Sequence, residues 1–197
     1  MFQSRLEALN RSLDECVVTD SAGALTVDQG LGRTAKLIQS CRGIVYVIGN
    51  GGSAGIASHF SNDLMKALHV PSQTLYDSNV VTCLSNDIGY EHVFSYQLHK
   101  LLKPSDLLVA ISSSGKSANI LNATRVAAEQ RVPAITLSGF LPDNPLRTSG
   151  ALNFWVGKTD YGLVESAHFF LLHTLVDLWK PYLGTLDAKN DRAFAAH

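Results

Sequence analysis

From Ile44 onward, short β-branched runs alternate with helical stretches, and no other feature of the chain narrows its possible folds as sharply. Ile44–Ile48, Gln73–Tyr76, Leu107–Ile111, Ala134–Leu137 and Leu152–Val156 read as strands. Ser53–Leu68, Val93–Leu102 and Ser117–Gln130 read as helices, and Val80–Leu84 reads as either. Strands separated by helices return in the same direction, so the alternation predicts an α/β fold: a doubly wound five-stranded parallel sheet flanked by helices. Two periodic segments come first. Phe2 to about Val18 places Leu6, Leu9, Leu13 and Val17 at helical spacing, and a second helix runs from about Val27 to Cys41. This N-terminal helical pair is expected to pack on its own core or on a partner subunit. A last helix, from about Gly162 to Trp179, aligns Leu172, Leu175, Val176 and Trp179 in one stripe. The 197 residues, 46% hydrophobic and 17% charged, suit one domain. Within it, 1–42 form the leading helices, 43–183 the α/β core and 184–197 a loose polar tail.

The charge excludes some partners. A net charge of −1 and the lack of a Lys/Arg run argue against nucleic acid and acidic membranes, so anions must be held by local amides. The first residues lack the apolar core of a signal peptide and no apolar run reaches membrane-span length; a cytoplasmic location is the expectation. Cys16, Cys41 and Cys83 form no CxxC pair, which points to buried free thiols rather than disulfides or a thiolate zinc site.

Ligands of open parallel sheets bind beyond the carboxyl ends of the strands, where the topology reverses. Two turns there carry the chemistry. Gly49-Asn50-Gly51-Gly52-Ser53 follows the first strand, and Ser112-Ser113-Ser114-Gly115-Lys116-Ser117 follows Leu107–Ile111. Hydroxyls and a glycine at a helix start offer donors and free amides, which suit a phosphate. A flexible turn with an N-cap is the plainer alternative. Lys116 is expected to face solvent. Gly49-x-Gly51-x-x-Ala54 also satisfies a relaxed dinucleotide pattern, with Asp77 as the acidic partner, but Asp77 lies far along and that pattern needs no serine cluster. No GxxxxGK[ST] follows either strand, which excludes a P-loop.

His59 and Asp63, four residues apart, share one helix face just beyond the glycine turn. Such a pair can bind a divalent metal, divide acid and base roles, or simply hydrogen-bond at the surface. The last helix adds Glu165, His168 and His173, which fit either a metal site or core histidines bonded to backbone carbonyls. Neutral imidazoles with carboxylates suit zinc, although iron, manganese, nickel and cobalt accept similar donors.

With these motifs the chain resembles the sugar isomerase (SIS) domain family and, within it, the phosphoheptose isomerases. The resemblance rests on GNGGS at Gly49–Ser53, His59 with its following acid, SNDIG at Ser85–Gly89, SSSGKSAN at Ser112–Asn119 and the histidine-bearing last helix. It implies a flavodoxin-like fold, a homotetramer with sites between subunits, and isomerisation of sedoheptulose 7-phosphate to glycero-manno-heptose 7-phosphate or a related sugar phosphate. By the same resemblance Asn50, Gly51, Gly52, Ser53, Asn86 and Asp87 line the sugar site, and Ser112, Ser113, Ser114 and Ser117 hold the phosphate. His59, Asp63, Glu165 and His173 match the metal positions, with His168 as the fallback. Asp63 or Glu165 is then the base and His173 the acid in a metal-assisted proton transfer through an enediol.

Three departures accompany the match. The family usually has Glu at the position of Asp63, Gln at that of Glu165 and an acid at that of Gly162. Geometry sets a further condition: Glu165 and His173 are about 12 Å apart along an unbroken helix. They converge only if Glu165 precedes the helix or if different subunits supply them. The rival reading is a noncatalytic SIS protein, a sugar-phosphate sensor or a replication-initiator-associating scaffold, which would keep the serine turn without the metal cluster.

Overall fold

A computed structural model describes residues 1–183. Its elements are α1 (Phe2–Asp14), β1 (Val17–Asp20), β2 (Gly23–Leu25), α2 (Val27–Ser40), β3 (Val45–Ile48), α3 (Gly52–Leu68), β4 (Ser72–Gln73), α4 (Ser78–Ile88), α5 (Val93–Leu101), β5 (Leu107–Ser112), α6 (Ala118–Glu129), β6 (Ala134–Gly139), β7 (Leu152–Val156) and α7 (Tyr161–Leu183). The predicted tail beyond Leu183 lies outside the described residues. Among those residues no helix is long and apolar enough to cross a membrane.

Five parallel strands are present in the order β4-β3-β5-β6-β7, although β4 shares only Gln73 with the expected Gln73–Tyr76. Alternation along each strand supplies a core on both faces. Val45 and Val47 of β3, with Val109 and Ile111 of β5, meet α2, α3 and α7 through Ile38, Phe60, Leu64 and Leu171. Tyr46 and Ile48, with Leu108 and Ala110, meet α5 and α6 through Phe94, Leu98, Ile120 and Ala123. Sandwiched between these layers, the central strands are buried at every position, which explains their unbroken apolar sequence.

The N-terminal region departs from the expectation. Helix α1 stops at Asp14, and Val17 and Val18 belong to a hairpin, β1–β2, that extends the sheet to seven strands by pairing antiparallel with β7. Helical spacing of Val17 with Leu13 is accidental. The β-branched run Val17-Val18-Thr19 prefers an extended backbone, and the Asp20 side chain accepts hydrogen bonds from the Ala22 and Gly23 N–H groups, closing the turn. The ambiguous segment is helix α4, capped by Asp77, whose side chain accepts from the Val80 N–H; that is the local role of the residue the dinucleotide pattern invoked. Of the thiols only Cys16 is buried, its pKa pushed up to about 12 by loss of solvent, while Cys83 is exposed.

One buried carboxylate aligns the start of the two strands that matter most. Asp106 accepts from the Ile44 N–H at 2.8 Å and the Lys103 N–H at 2.7 Å, tying the entry of β3 to that of β5. Asp106→Ala leaves both amides without this acceptor and is expected to cost about 2–4 kcal/mol. Urea unfolding of the two proteins measures it.

Candidate functional site

Strands β3 and β5 are adjacent and parallel, but the chain leaves them on opposite sides of the sheet. Helix α3 packs with the core that contains Phe60, and α6 with the one that contains Ile120. A crevice must open between the two departing turns. It holds a cavity of about 290 Å³ lined by Asn50, Gly51, Gly52, Ser53, Ser112, Ser113, Ser114, Ser117, Tyr161 and Glu165. The glycine and serine turns singled out in the sequence therefore meet at one place. The N-termini of α3 and α6 border it, so free amides and helix dipoles favour an anion there without a lysine. Lys116 is exposed, as expected, and no lysine or arginine among the described residues lines the cavity.

Glycine is required where the chain enters α3. Gly51 has φ +53°, outside the regions open to most side chains. A Cβ on Gly52 would stand 2.2 Å from Glu165 Oε2, so the missing side chain is what lets the Glu165 carboxylate reach the turn. Two clasps hold this loop. The Gly49 N–H donates to the Tyr76 oxygen at 2.6 Å while the Tyr76 O–H donates to the Gly49 carbonyl at 3.1 Å. Burial raises the Tyr76 pKa and keeps the phenol protonated for both bonds. Asn50 and the buried Asn119 exchange amide hydrogen bonds, each 2.9 Å, across the crevice, and the Tyr90 O–H donates to Asn50 Oδ1 at 2.9 Å. The Asn50 side chain is thus engaged in joining the two turns. On the serine side, Ser112 Oγ and Ser117 Oγ lie 3.1 Å apart. Ser113 Oγ is fully enclosed, so Ser113 meets the cavity through its backbone.

A second group lies farther along the seam between α3 and α7. His59 Nε2 is 3.3 Å and His173 Nδ1 3.7 Å from Asp63 Oδ2, and the three donor atoms all fall within 4.8 Å of one another. Phe169 packs edge-on against both imidazoles. Two ligands of a tetrahedral zinc ion are roughly 3.4 Å apart when each bond is near 2.1 Å, so the two distances to Asp63 are of the size a shared divalent cation needs. Glu165 stands outside this cluster. Because α7 already begins at Tyr161, Glu165 lies inside the helix, and its carboxylate turns to Gly52 instead. His168 is no substitute: it is fully buried, with Nε2 3.0 Å from the Ser138 carbonyl.

Asn86 and Asp87 are also not brought to the cavity of their own chain. They are exposed on α4, a helix with no buried residue, where the Asn86 amide donates to Asp87 Oδ1 at 2.9 Å. Conversely, Tyr76, Tyr90, Asn119 and Tyr161 contribute to the site without having been selected from the sequence. Only Asn119 carried a signal, as the last residue of SSSGKSAN; the tyrosines arrive from distant segments.

An open parallel sheet with a cavity between glycine and serine turns at its reversal point defines an α/β domain of the ligand-binding, flavodoxin-like kind. More narrowly, the chain belongs to the SIS domain family, whose profile matches residues 25–139, more than half of the chain. It is 36% identical over 137 residues to a phosphoheptose isomerase of Campylobacter concisus, covering 66% of this chain and 72% of that one. A phosphoheptose isomerase of Shewanella denitrificans is 29% identical over 185 residues, covering 87% and 93%. The structure of the phosphoheptose isomerase of Neisseria gonorrhoeae superimposes with a TM-score of 0.76 at 27% identity, covering 90% of this chain and 99% of that one.

His168 gives the site a pH signature. Burial lowers its pKa from the ordinary 6.5 to about 4. Between these values the unfolded chain binds the proton and the folded chain does not, so stability is full above about 6.5 and falls as the pH drops toward 4, by about 3 kcal/mol. Denaturant titrations across this range should show the loss, and His168→Gln should flatten it.

Proposed function

We propose that the protein is a phosphosugar isomerase that interconverts sedoheptulose 7-phosphate and glycero-manno-heptose 7-phosphate. The observation that carries this reading is an ordered series of sites along one seam. The anion-suited cavity lies at the start of α3 and α7, Glu165 projects into it beside Gly52, and the His59–Asp63–His173 cluster follows farther along the same two helices. From Glu165 to His173 the helix rises about 12 Å. That span suits an extended sugar with its phosphate at the serine turn and its carbonyl between Glu165 and the cluster, within reach of both.

The amides of the serine turn hold the phosphate, with Ser112, Ser114 and Ser117 supplying hydroxyls. Gly51, Gly52 and Ser53 let the sugar chain approach the backbone of the first turn. Glu165 removes the proton from the carbon beside the carbonyl and returns it to the neighbouring carbon, while a hydroxyl proton passes between the two oxygens; the intermediate is an enediol. Of the two candidate bases, Asp63 is engaged by two imidazoles, which favours Glu165. The metal and acid roles considered for His173 compete, and its place beside Asp63 favours the first. His59, Asp63 and His173 would hold a divalent metal, zinc by the character of the donors. Bound there, it would polarise the carbonyl and stabilise the developing negative charge. Glu165 is a metal ligand in this scheme only if a rotation of its side chain carries it away from Gly52.

The reading includes a cytoplasmic homotetramer with sites at subunit interfaces. Exposed Asn86 and Asp87, on a helix that also exposes Val80 and Ile88, are suited to completing a neighbour's cavity.

Isomerisation assayed on purified protein, with and without added zinc, tests the proposal. His59→Ala and His173→Ala are expected to stay folded, to lose stoichiometric zinc in calorimetry, and to lose at least about 100-fold in kcat/KM, as expected when a metal's charge stabilisation is removed. Full activity in either variant defeats the metal assignment. Tight binding of sugar phosphates by the wild-type protein without turnover identifies a sensor instead.

A further inference from the structure

The turn that lines the anion end of the cavity is held differently on its two flanks. On the far flank, the Leu146 N–H donates to the Gly115 carbonyl at 3.2 Å, and Asn144 packs where a side chain on Gly115 would be. On the other flank, Ser113 Oγ is enclosed and has no partner among the described residues. Buried hydroxyls rarely remain unbonded.

A complementary atom lies on α7, against the strand next to this turn. The Ser138 carbonyl can only accept, so the His168 Nε2 at 3.0 Å carries the hydrogen and Nδ1 is left as a bare acceptor. Nδ1 is likewise enclosed and unpartnered among the described residues. Both residues meet at one corner of the sheet: Ser112 pairs with Ser138, whose carbonyl faces His168, and Ser113 follows Ser112 directly. Ile135 and Leu137 belong to the α7-side core, so Ser138 Oγ, the third such atom, points away from α7. The contacts agree: a Cβ on Gly139 would meet both the Ser113 carbonyl at 2.9 Å and Val164, one helical turn before His168 on α7, at 2.6 Å.

We propose that His168 is a positioning residue for the serine turn, its bare Nδ1 receiving the Ser113 hydroxyl's hydrogen bond across one buried water. The Ser113 O–H donates to the water, and the water donates to Nδ1. This relay fixes the turn so that its amides face the cavity. Burial keeps the imidazole uncharged near neutrality, so Nδ1 remains an acceptor there. The inference rests on the reading of the serine turn as the phosphate site.

The test uses the full chain and measures inorganic phosphate binding by calorimetry and isomerase kinetics with sedoheptulose 7-phosphate. His168→Gln retains a donor for the Ser138 carbonyl but removes the acceptor at Nδ1. It should raise the Kd of phosphate and the KM about 3- to 10-fold, the effect of one lost hydrogen bond, and leave kcat unchanged. Ser113→Ala should do the same, and the double variant should be no weaker than either single one. His168→Asn, which restores a polar atom near Nδ1, should recover part of the affinity. Wild-type affinity in folded His168→Gln or Ser113→Ala, or losses that multiply in the double variant, overturn the relay. Should His168→Gln fail to fold, Ser113→Ala and His168→Asn decide it. Failure of the wild-type protein to bind either phosphate probe overturns the phosphate site as well.

Discussion

The parallel pairing of β3 with β5 is the constraint on which the site depends. Four consecutive pairs, from Val45 with Leu107 to Ile48 with Ala110, bring the two strand ends to the same height. Because their helices depart to opposite faces, neither turn can cover the other, and the crevice between them is a necessity of topology. What topology leaves loose, side chains secure. The reciprocal amide pair of Asn50 and Asn119 spans the gap, so one turn cannot shift without the other. Asp106 acts at the opposite end of the same strand pair. The site is preorganised by groups that need not touch a ligand.

Much of this was legible in the sequence because burial on both faces leaves a plain mark. Strands covered on both faces must be apolar at every position, so β3 and β5 stand out as continuous runs bounded by glycine and serine. The β1–β2 hairpin was not legible as such, since Leu9, Leu13 and Val17 satisfy a helical period and only the Asp20 turn breaks it. Local pattern likewise located His59 and Asp63, four residues apart on one helix. It could not locate Glu165, whose position depends on how closely α7 approaches a residue that has no side chain, Gly52. Tyr76 was invisible for a related reason: its function is a pair of hydrogen bonds to the backbone of a loop 27 residues earlier. Asn86 and Asp87 mark the same limit, because their motif does not reveal that α4 carries them exposed and away from the cavity of their own chain.

The cavity has an internal electrical order. Helix N-termini and amides supply weak, distributed positive potential at the serine end, and Glu165 puts a full carboxylate at the other wall. A dianion placed anywhere in the cavity would be drawn to the amides and repelled by the carboxylate, so its position is determined by both effects. For the proposed sugar phosphate, the same repulsion would set a direction, phosphate toward the serines and carbonyl toward the seam. A glutamine at position 165 would lack that term, which makes the glutamate more than a neutral variation on the family's pattern.

The start of α7 shows how another departure is absorbed. Where the family often has an acid, Gly162 leaves space, and a Cβ there would lie 3.2 Å from an Arg5 nitrogen and 3.3 Å from Asp160 Oδ1. Arg5 instead grips Asp160 through two hydrogen bonds of 2.8 and 2.9 Å, and Asp160 also accepts from the Leu163 N–H at the head of the helix. The Arg5 hydrogen bond, the Leu163 amide and the guanidinium charge hold the Asp160 pKa near about 2. The carboxylate at this end of α7 is therefore consumed as a helix cap and as an anchor for α1, and is not free to face the cavity. Tyr161, next in the chain, lines the cavity beside Glu165. An N-terminal helix whose sequence fitted either its own core or a partner subunit thus fixes, through one arginine, the helix end that carries two of the cavity's walls.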